Sequence, residues 1–201
     1  MLPVFSANSL REKLIKLDAN QQLAFGAICC ERLLPNYKAF QQDVGWGDFL
    51  PVRKALDFLW TVLKGGSTTP EEIKSITAYC EAVVPDSEDF ESPYVSLAQD
   101  GCFAVCSLLD YLLENDVDRV VQAATYATDS VDFYVQEIES MAPNDPELEQ
   151  KILSHNLMQR ELAQQEENLK AVEQVDVDSV EFLDGLKNSW NNEGKSNLDL
   201  P

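Results

Sequence analysis

Histidine is nearly missing from this chain: His155 is its one imidazole, and no Cys-x-x-Cys pair accompanies it. Zinc signatures need thiolates and imidazoles at set spacings, and a di-iron bundle needs Glu-x-x-His on two helices, whereas Ile152 stands three residues before His155. No metal site and no cofactor are expected, and His155 reads as a surface or boundary residue. The nucleophile elbow G-x-S-x-G, the Gly-rich phosphate loop and the dinucleotide fingerprint are also absent. Gly45-Trp46-Gly47 lacks the preceding strand that would make it one of these, so no catalytic residue is proposed. No window approaches the roughly 18 uninterrupted apolar residues of a membrane span. The opening Met1-Leu2-Pro3-Val4-Phe5-Ser6 lacks a signal peptide's basic flank and apolar stretch, so a cytoplasmic location is expected. The five cysteines are an odd number, with Cys29 and Cys30 adjacent, and free thiols suit a reducing compartment better than a disulfide framework does.

Positive charge is the next scarcity. Against 35 acidic side chains stand 15 basic ones, a net charge of −20. The imbalance is uneven: residues 1–64 hold 8 basic and 6 acidic side chains, residues 65–201 hold 7 and 29. Such a field repels phosphate backbones and anionic bilayers, so neither nucleic acid nor membrane is an expected partner. Binding to nucleic acid would need a strip gathered from Arg11, Lys13, Lys16, Arg32, Lys38, Arg53 and Lys54.

What is present is helical pattern, with almost no strand signal. At 45% hydrophobic and 25% charged, the 201 residues have globular proportions and can bury roughly 70% of their unfolded surface in one core. The expectation is an all-α single domain over 1–194 with a less ordered tail over 195–201, a bundle of about seven or eight helices. Asn8 or Ser9 should cap the first helix, and the second should start near Asn20, with Pro35 ending it or beginning the next turn. A further short helix would run to Val44, then a turn at Gly45-Trp46-Gly47 with Asp48 as the next N-cap. Pro51 to Leu63 is too broadly apolar for a stripe and should be largely enclosed. Thr69-Pro70-Glu71-Glu72 has capping-box form. Ser92-Pro93 opens a stretch over 93–114 in which nearly every residue is apolar or small, the expected central helix. Asn144-Asp145-Pro146 should start one long helix, and a last helix should carry Val180, Leu183, Leu186 and Trp190 until Gly194.

Polar groups inside apolar runs are the remaining candidates for a site. Asp57 lies in Ala55-Leu56-Asp57-Phe58-Leu59, and Asp100 sits within the central helix, where a buried carboxylate needs a partner. Arg32 and Arg53 are available cations, so helix-bridging pairs compete with a ligand site. Asp48, Arg53, Asp57 and Asp100 could line a cleft between helices, edged by Tyr37 and Trp46. The alternative for the two aromatics is an anchor that locks the turn. Cys29-Cys30-Glu31-Arg32 sets thiols beside a guanidinium, but its apolar surroundings favour packing.

Cys30-Glu31-Arg32-Leu33-Leu34-Pro35-Asn36-Tyr37, Gly45-Trp46-Gly47-Asp48, Leu56-Asp57-Phe58-Leu59-Trp60, Pro85-Asp86-Ser87-Glu88-Asp89-Phe90 and the closing Lys195-Ser196-Asn197-Leu198 together carry a resemblance. Over nearly its full length the chain resembles the YjaG-like bacterial family, a domain of unknown function (family number 416). The resemblance implies an all-helical protein of gamma-proteobacterial type with no assigned activity, and an acid where this chain has Lys195. No catalytic residue is carried over from it.

Two functions remain open. One is a non-catalytic interaction or adaptor module presenting its acidic face to a basic protein partner, or to the less acidic N-terminal region of a second copy. The other is a small-molecule site, enzymatic or regulatory, in the inter-helix cleft.

Overall fold

Side-chain caps set most helix starts. In the computed structural model, which describes residues 4–173, 179–190 and 192–201, nine helices are found among the described residues. Helix α1 (Ala7–Leu14) is capped by Ser6, whose hydroxyl accepts from the Ser9 amide, one turn before the expected cap. Asp18 and Gln21 form a reciprocal capping box at the start of α2 (Ala19–Val44). Asp48 caps α3 (Phe49–Leu63), and Thr69 caps α4 (Pro70–Glu81) with proline at its first position, both as expected. Helix α5 (Val95–Glu114) begins where the Ser92 hydroxyl accepts from the Tyr94 amide, and Asp116 caps α6 (Val117–Ile138).

The chain is all-α, and α5 lies at its centre as expected, shared with α2. Helix α5 packs against α2, α3, α4 and α6, while α2 also touches two later helices, α8 (Asn156–Glu173) and α9 (Val180–Lys187). A Cβ on Gly26 would lie 2.5 Å from a Leu108 methyl, so glycine lets α2 approach α5 closely. One apolar cluster gathers Phe25, Leu56, Leu59, Trp60, Leu108 and their neighbours. A smaller one joins Leu97, Val131, Val135, Leu157 and Met158 to Leu198 and Leu200 of the C-terminal segment. Each fully buried leucine or valine contributes about 1.5–3 kcal/mol.

The structure departs from the expected pattern in three places. Pro35 does not end a helix; it sits inside the 26 residues of α2, where it removes one bond to the Glu31 carbonyl. Leu33, Leu34, Asn36 and Tyr37 are buried around it, and their packing outweighs a cost of about 3 kcal/mol. The long helix expected from residue 144 is two, α7 (Leu148–Ser154) and α8 (Asn156–Glu173). His155 is extended between them (ψ 141°), and the Asn156 side chain accepts from the Leu157 amide to restart the helix. The tail packs rather than frays: α9 (Val180–Lys187) ends before Trp190, and Ser196, Asn197, Leu198 and Leu200 are all buried.

Candidate functional site

Helix α2 carries Glu31 and Arg32 as neighbours, and the 100° step between successive residues sends them to different neighbours. Glu31 faces α3. Its carboxylate accepts two bonds from Arg53, at 2.6 and 2.8 Å, and a third from the Trp60 indole at 2.7 Å. Arg53 also donates to Asp57 at 2.8 Å, and the Lys187 ammonium of α9 donates to the same Asp57 oxygen at 2.7 Å. Burial opposes the charge on Arg53, but its bonds to Glu31 and Asp57 hold the guanidinium pKa above its ordinary value. Burial likewise works against the Asp57 carboxylate, yet the bonds from Lys187 and Arg53 together keep its pKa low.

This network forms one wall of a cleft of about 190 Å³ between α2, α3, the end of α9 and the segment after it. Lys38, Arg53, Lys187 and Lys195 all line it, against Glu31 as its one acidic residue. Phe49, Pro35 and Trp190 supply apolar walls. The Lys38 ammonium lies 4.7 Å from the centre of the Phe49 ring, and Lys195 pairs with the exposed Glu193, at 3.8 Å. The Nε of Arg53 is buried without a hydrogen-bond partner among the described residues.

Arg32 faces the other way, into α8. Its side chain is 0% exposed and that of Glu161 is 1% exposed, and the two are joined by bonds of 2.7 and 3.2 Å. Gln165 donates to Glu161 and to the Ala124 carbonyl, both at 3.0 Å. The C-terminal segment completes the arrangement. The Asn197 amide group donates to the Ala127 carbonyl at 3.1 Å and to Glu161 at 3.5 Å, and the Asn197 backbone N–H donates to the Arg32 carbonyl at 3.0 Å. Asn36 donates to the Asn197 side-chain oxygen at 3.3 Å. Residues 30–37 and 195–198, far apart in the chain, thus meet at one buried network. Burial opposes the Arg32 charge, but Glu161 beside it keeps the guanidinium protonated. Burial also pushes the Cys29 thiol up to about 11 and raises Cys30, so both stay protonated and packed at neutral pH.

The expected site residues fall into three places rather than one cleft. Arg53 lines the cleft, and Asp57 holds it and Lys187 from the side. Tyr37, Trp46 and Asp48 belong to the turn. The Tyr37 hydroxyl donates to the Val83 carbonyl at 2.7 Å and accepts from the Asp48 amide at 3.2 Å, while Trp46 packs on Phe40 and Phe90. A Cβ on Gly47 would come within 2.7 Å of the Tyr37 hydroxyl, at a φ of 99° that suits glycine. Asp48 is occupied as the α3 cap, accepting from the Leu50 amide. Asp100 lies elsewhere, against α6, accepting from the Ser130 hydroxyl at 2.7 Å; burial pushes its carboxyl up to about 6. The cations of a hypothetical nucleic-acid strip are dispersed. Arg11 pairs with Asp118 and Lys13 with Glu166, while Arg32 is buried. Sequence reasoning missed Lys187, Lys195 and Trp190, which carry no local signal, and Glu31, whose position inside an apolar run was such a signal. Among the described residues no cluster of three His, Cys, Asp or Glu side chains could hold a metal ion, and no helix is long and apolar enough to cross a membrane.

Residues 9–200 match the model of a family described as a protein of unknown function, DUF416. The chain is 25% identical over 194 residues to the uncharacterized protein YjaG of Escherichia coli K12, covering 96% of each. An uncharacterized protein of Haemophilus influenzae is 24% identical over 199 residues, covering 96% of this chain and 97% of that one. The crystal structure of a DUF416 family protein from Shewanella baltica superposes with a TM-score of 0.84 at 25% identity, covering 94% of this chain and 97% of that one.

Proposed function

This chain belongs to the DUF416 family, and from that premise we propose that it is a receptor for a small anion, bound in the cleft between α2, α3, α9 and the C-terminal segment. The observation that carries the reading is the convergence of Lys38, Arg53, Lys187 and Lys195 on one cleft in a chain with 15 basic side chains and a net charge of −20. A diffuse acidic field repels anions, so a site for one must be built locally from several cations. Solvated helix faces do not require cations from three helices and a loop to meet. Glu31 and Asp57 act as positioning residues: they fix Arg53 and Lys187, leaving Lys38 and Lys195 for an incoming oxyanion. At about 190 Å³ the cleft is smaller than typical drug-sized pockets, and suits a phosphate or carboxylate group on a small body. The reading assigns binding and no bond-breaking step.

Calorimetric titration with inorganic phosphate tests it. Saturable binding in the millimolar range or tighter is expected, weakened by salt and weakened several-fold by Lys195→Gln. Absence of saturation, or equal binding by the variant, would remove the reading.

A second reading, the interaction module, is favoured by the pairing pattern. Arg11, Lys13, Lys64, Arg119 and Lys151 are each matched to acids of this chain, which leaves a surplus of acid for a basic partner or for a second copy. It supports salt-sensitive association, which light scattering at two ionic strengths would reveal. The unpaired state of all five cysteines supports a reducing, cytoplasmic setting for either reading.

A further inference from the structure

The cleft and the buried ion pair share one short piece of chain. Lys195 lines the cleft, while Ser196, Asn197 and Leu198, the next three residues, are buried over Arg32 and Glu161. Trp190 ties the two places together. Its indole donates to the Lys195 carbonyl at 2.8 Å, and its ring lies 5.8 Å from the Arg32 guanidinium and 5.6 Å from that of Arg160. Arg160 in turn donates to the Asn197 carbonyl at 2.7 Å and pairs with Asp199 at 3.0 Å.

The seat of this segment is held by directional polar contacts and by the two leucines Leu198 and Leu200. Asn36 and Arg160 reach it from α2 and α8, donating to the Asn197 side-chain oxygen and to its carbonyl.

We infer that residues 194–200 form a latch whose seating over the Arg32–Glu161 pair is coupled to occupancy of the anion cleft. The inference rests on the anion-receptor reading and adds its regulation. An oxyanion held by Lys38 and Arg53 also draws in Lys195, which lies two residues from the seated Asn197. Binding therefore stabilises the seated latch, and by linkage anything that unseats the latch weakens binding by the same factor. Residues outside the cleft, Asn197 and Asp199, thereby become determinants of affinity.

Hydrogen exchange on the full chain, with inorganic phosphate as the probe, tests the coupling. The reporters are the amides of Asn197, which donates to the Arg32 carbonyl, and of Leu198 and Leu200, which both donate to the Ser196 hydroxyl. Saturating phosphate should slow their exchange by at least about 5-fold, the lower end of ordinary coupling factors. Asp199→Ala removes contacts to Arg160 and Asn192 at the surface and leaves the buried pair intact, so it should fold while speeding exchange at these amides. It should also weaken phosphate binding by several-fold. Asn197→Ala should do both more strongly. Phosphate that binds without changing exchange at 197–200, or binds Asp199→Ala as it binds the parent chain, overturns the latch and leaves the receptor reading standing. Phosphate that does not bind at all overturns both.

Discussion

Two neighbouring residues of α2 lead to opposite regimes of electrostatics. Around Arg32 the charges are dry: the pair with Glu161 is sealed and further held by Gln165 and Asn197. Around Glu31 they are wet at the edges, with the Arg53 side chain 22% exposed and that of Asp57 48% exposed, and more cations than acids line the cleft. The same residue types serve different ends because solvent decides what an unmatched charge costs. In the dry region a lone charge is intolerable, so every cation there is matched within the chain. In the wet region a surplus of positive charge is affordable, and it is there that a ligand's charge can be used. The difference separates a stability element from a binding element within a single turn of helix.

The largest break in this comparison is expected at the dry pair. Glu161→Ala leaves the Arg32 guanidinium buried and uncompensated, and should lower stability by about 3–5 kcal/mol in urea unfolding. Replacing both partners, Arg32→Met with Glu161→Leu, should recover much of that loss, because the desolvation penalty disappears with the charges. If the single variant cost as little as a surface pair, the region would not be dry and the contrast would collapse.

Asp100 is an intermediate case, a half-buried carboxylate with a hydroxyl partner and no cation within its hydrogen bonds. Burial raises its folded pKa from the ordinary 3.8 to about 6, with Ser130 opposing and Asp129 reinforcing the rise. The folded state thus holds the proton more tightly than the unfolded one. The associated stability is present in full below about pH 4 and is lost as pH rises to about 6. Asp100→Asn keeps an acceptor for Ser130 and removes the charge, so it should raise stability by about 1–2 kcal/mol at pH 7.5 and make no difference near pH 4. Thermal melts at the two pH values check the sign, and equal shifts at both would refute it.

The contrast between the two regions also explains what could be read before folding. Asp48 and Thr69 act through amides two or three residues away, and Gly45 and Gly47 through their own positive φ, so local pattern revealed them. Pro35 misled because its local cost is overridden by burial on both sides, a tertiary effect. The segment after residue 194 looked loose because its polar residues have no local partner; their partners are Arg32, Asn36, Ala127 and Glu161. Of the expected site residues, Asp57 stood out by its place in an apolar run and Arg53 as an available cation, and the structure joins the two by a hydrogen bond at the cleft. Lys187 and Lys195 were not, because the cleft is assembled from separate elements and positive charge at either position is unremarkable alone.

The smallest effect on stability should accompany a clear effect on binding, and Asp57 offers it. Its carboxylate receives Arg53 and Lys187 but is itself 48% exposed, so solvent screens both contacts. Asp57→Asn should therefore change stability by less than about 1 kcal/mol. It removes the negative charge that anchors the Lys187 ammonium and leaves that cation free to turn toward the cleft. The cleft becomes more positive but less ordered. If charge dominates, phosphate should bind the variant several-fold more tightly, with a steeper dependence on ionic strength. If preorganisation of Arg53 and Lys187 dominates, affinity should fall while the salt dependence stays unchanged. Calorimetric titrations of parent and variant at two salt concentrations separate these terms. An affinity and salt dependence both identical to the parent's would mean that Asp57 belongs with the dry, structural set after all, and that the boundary between the two regions runs through α3 rather than through α2.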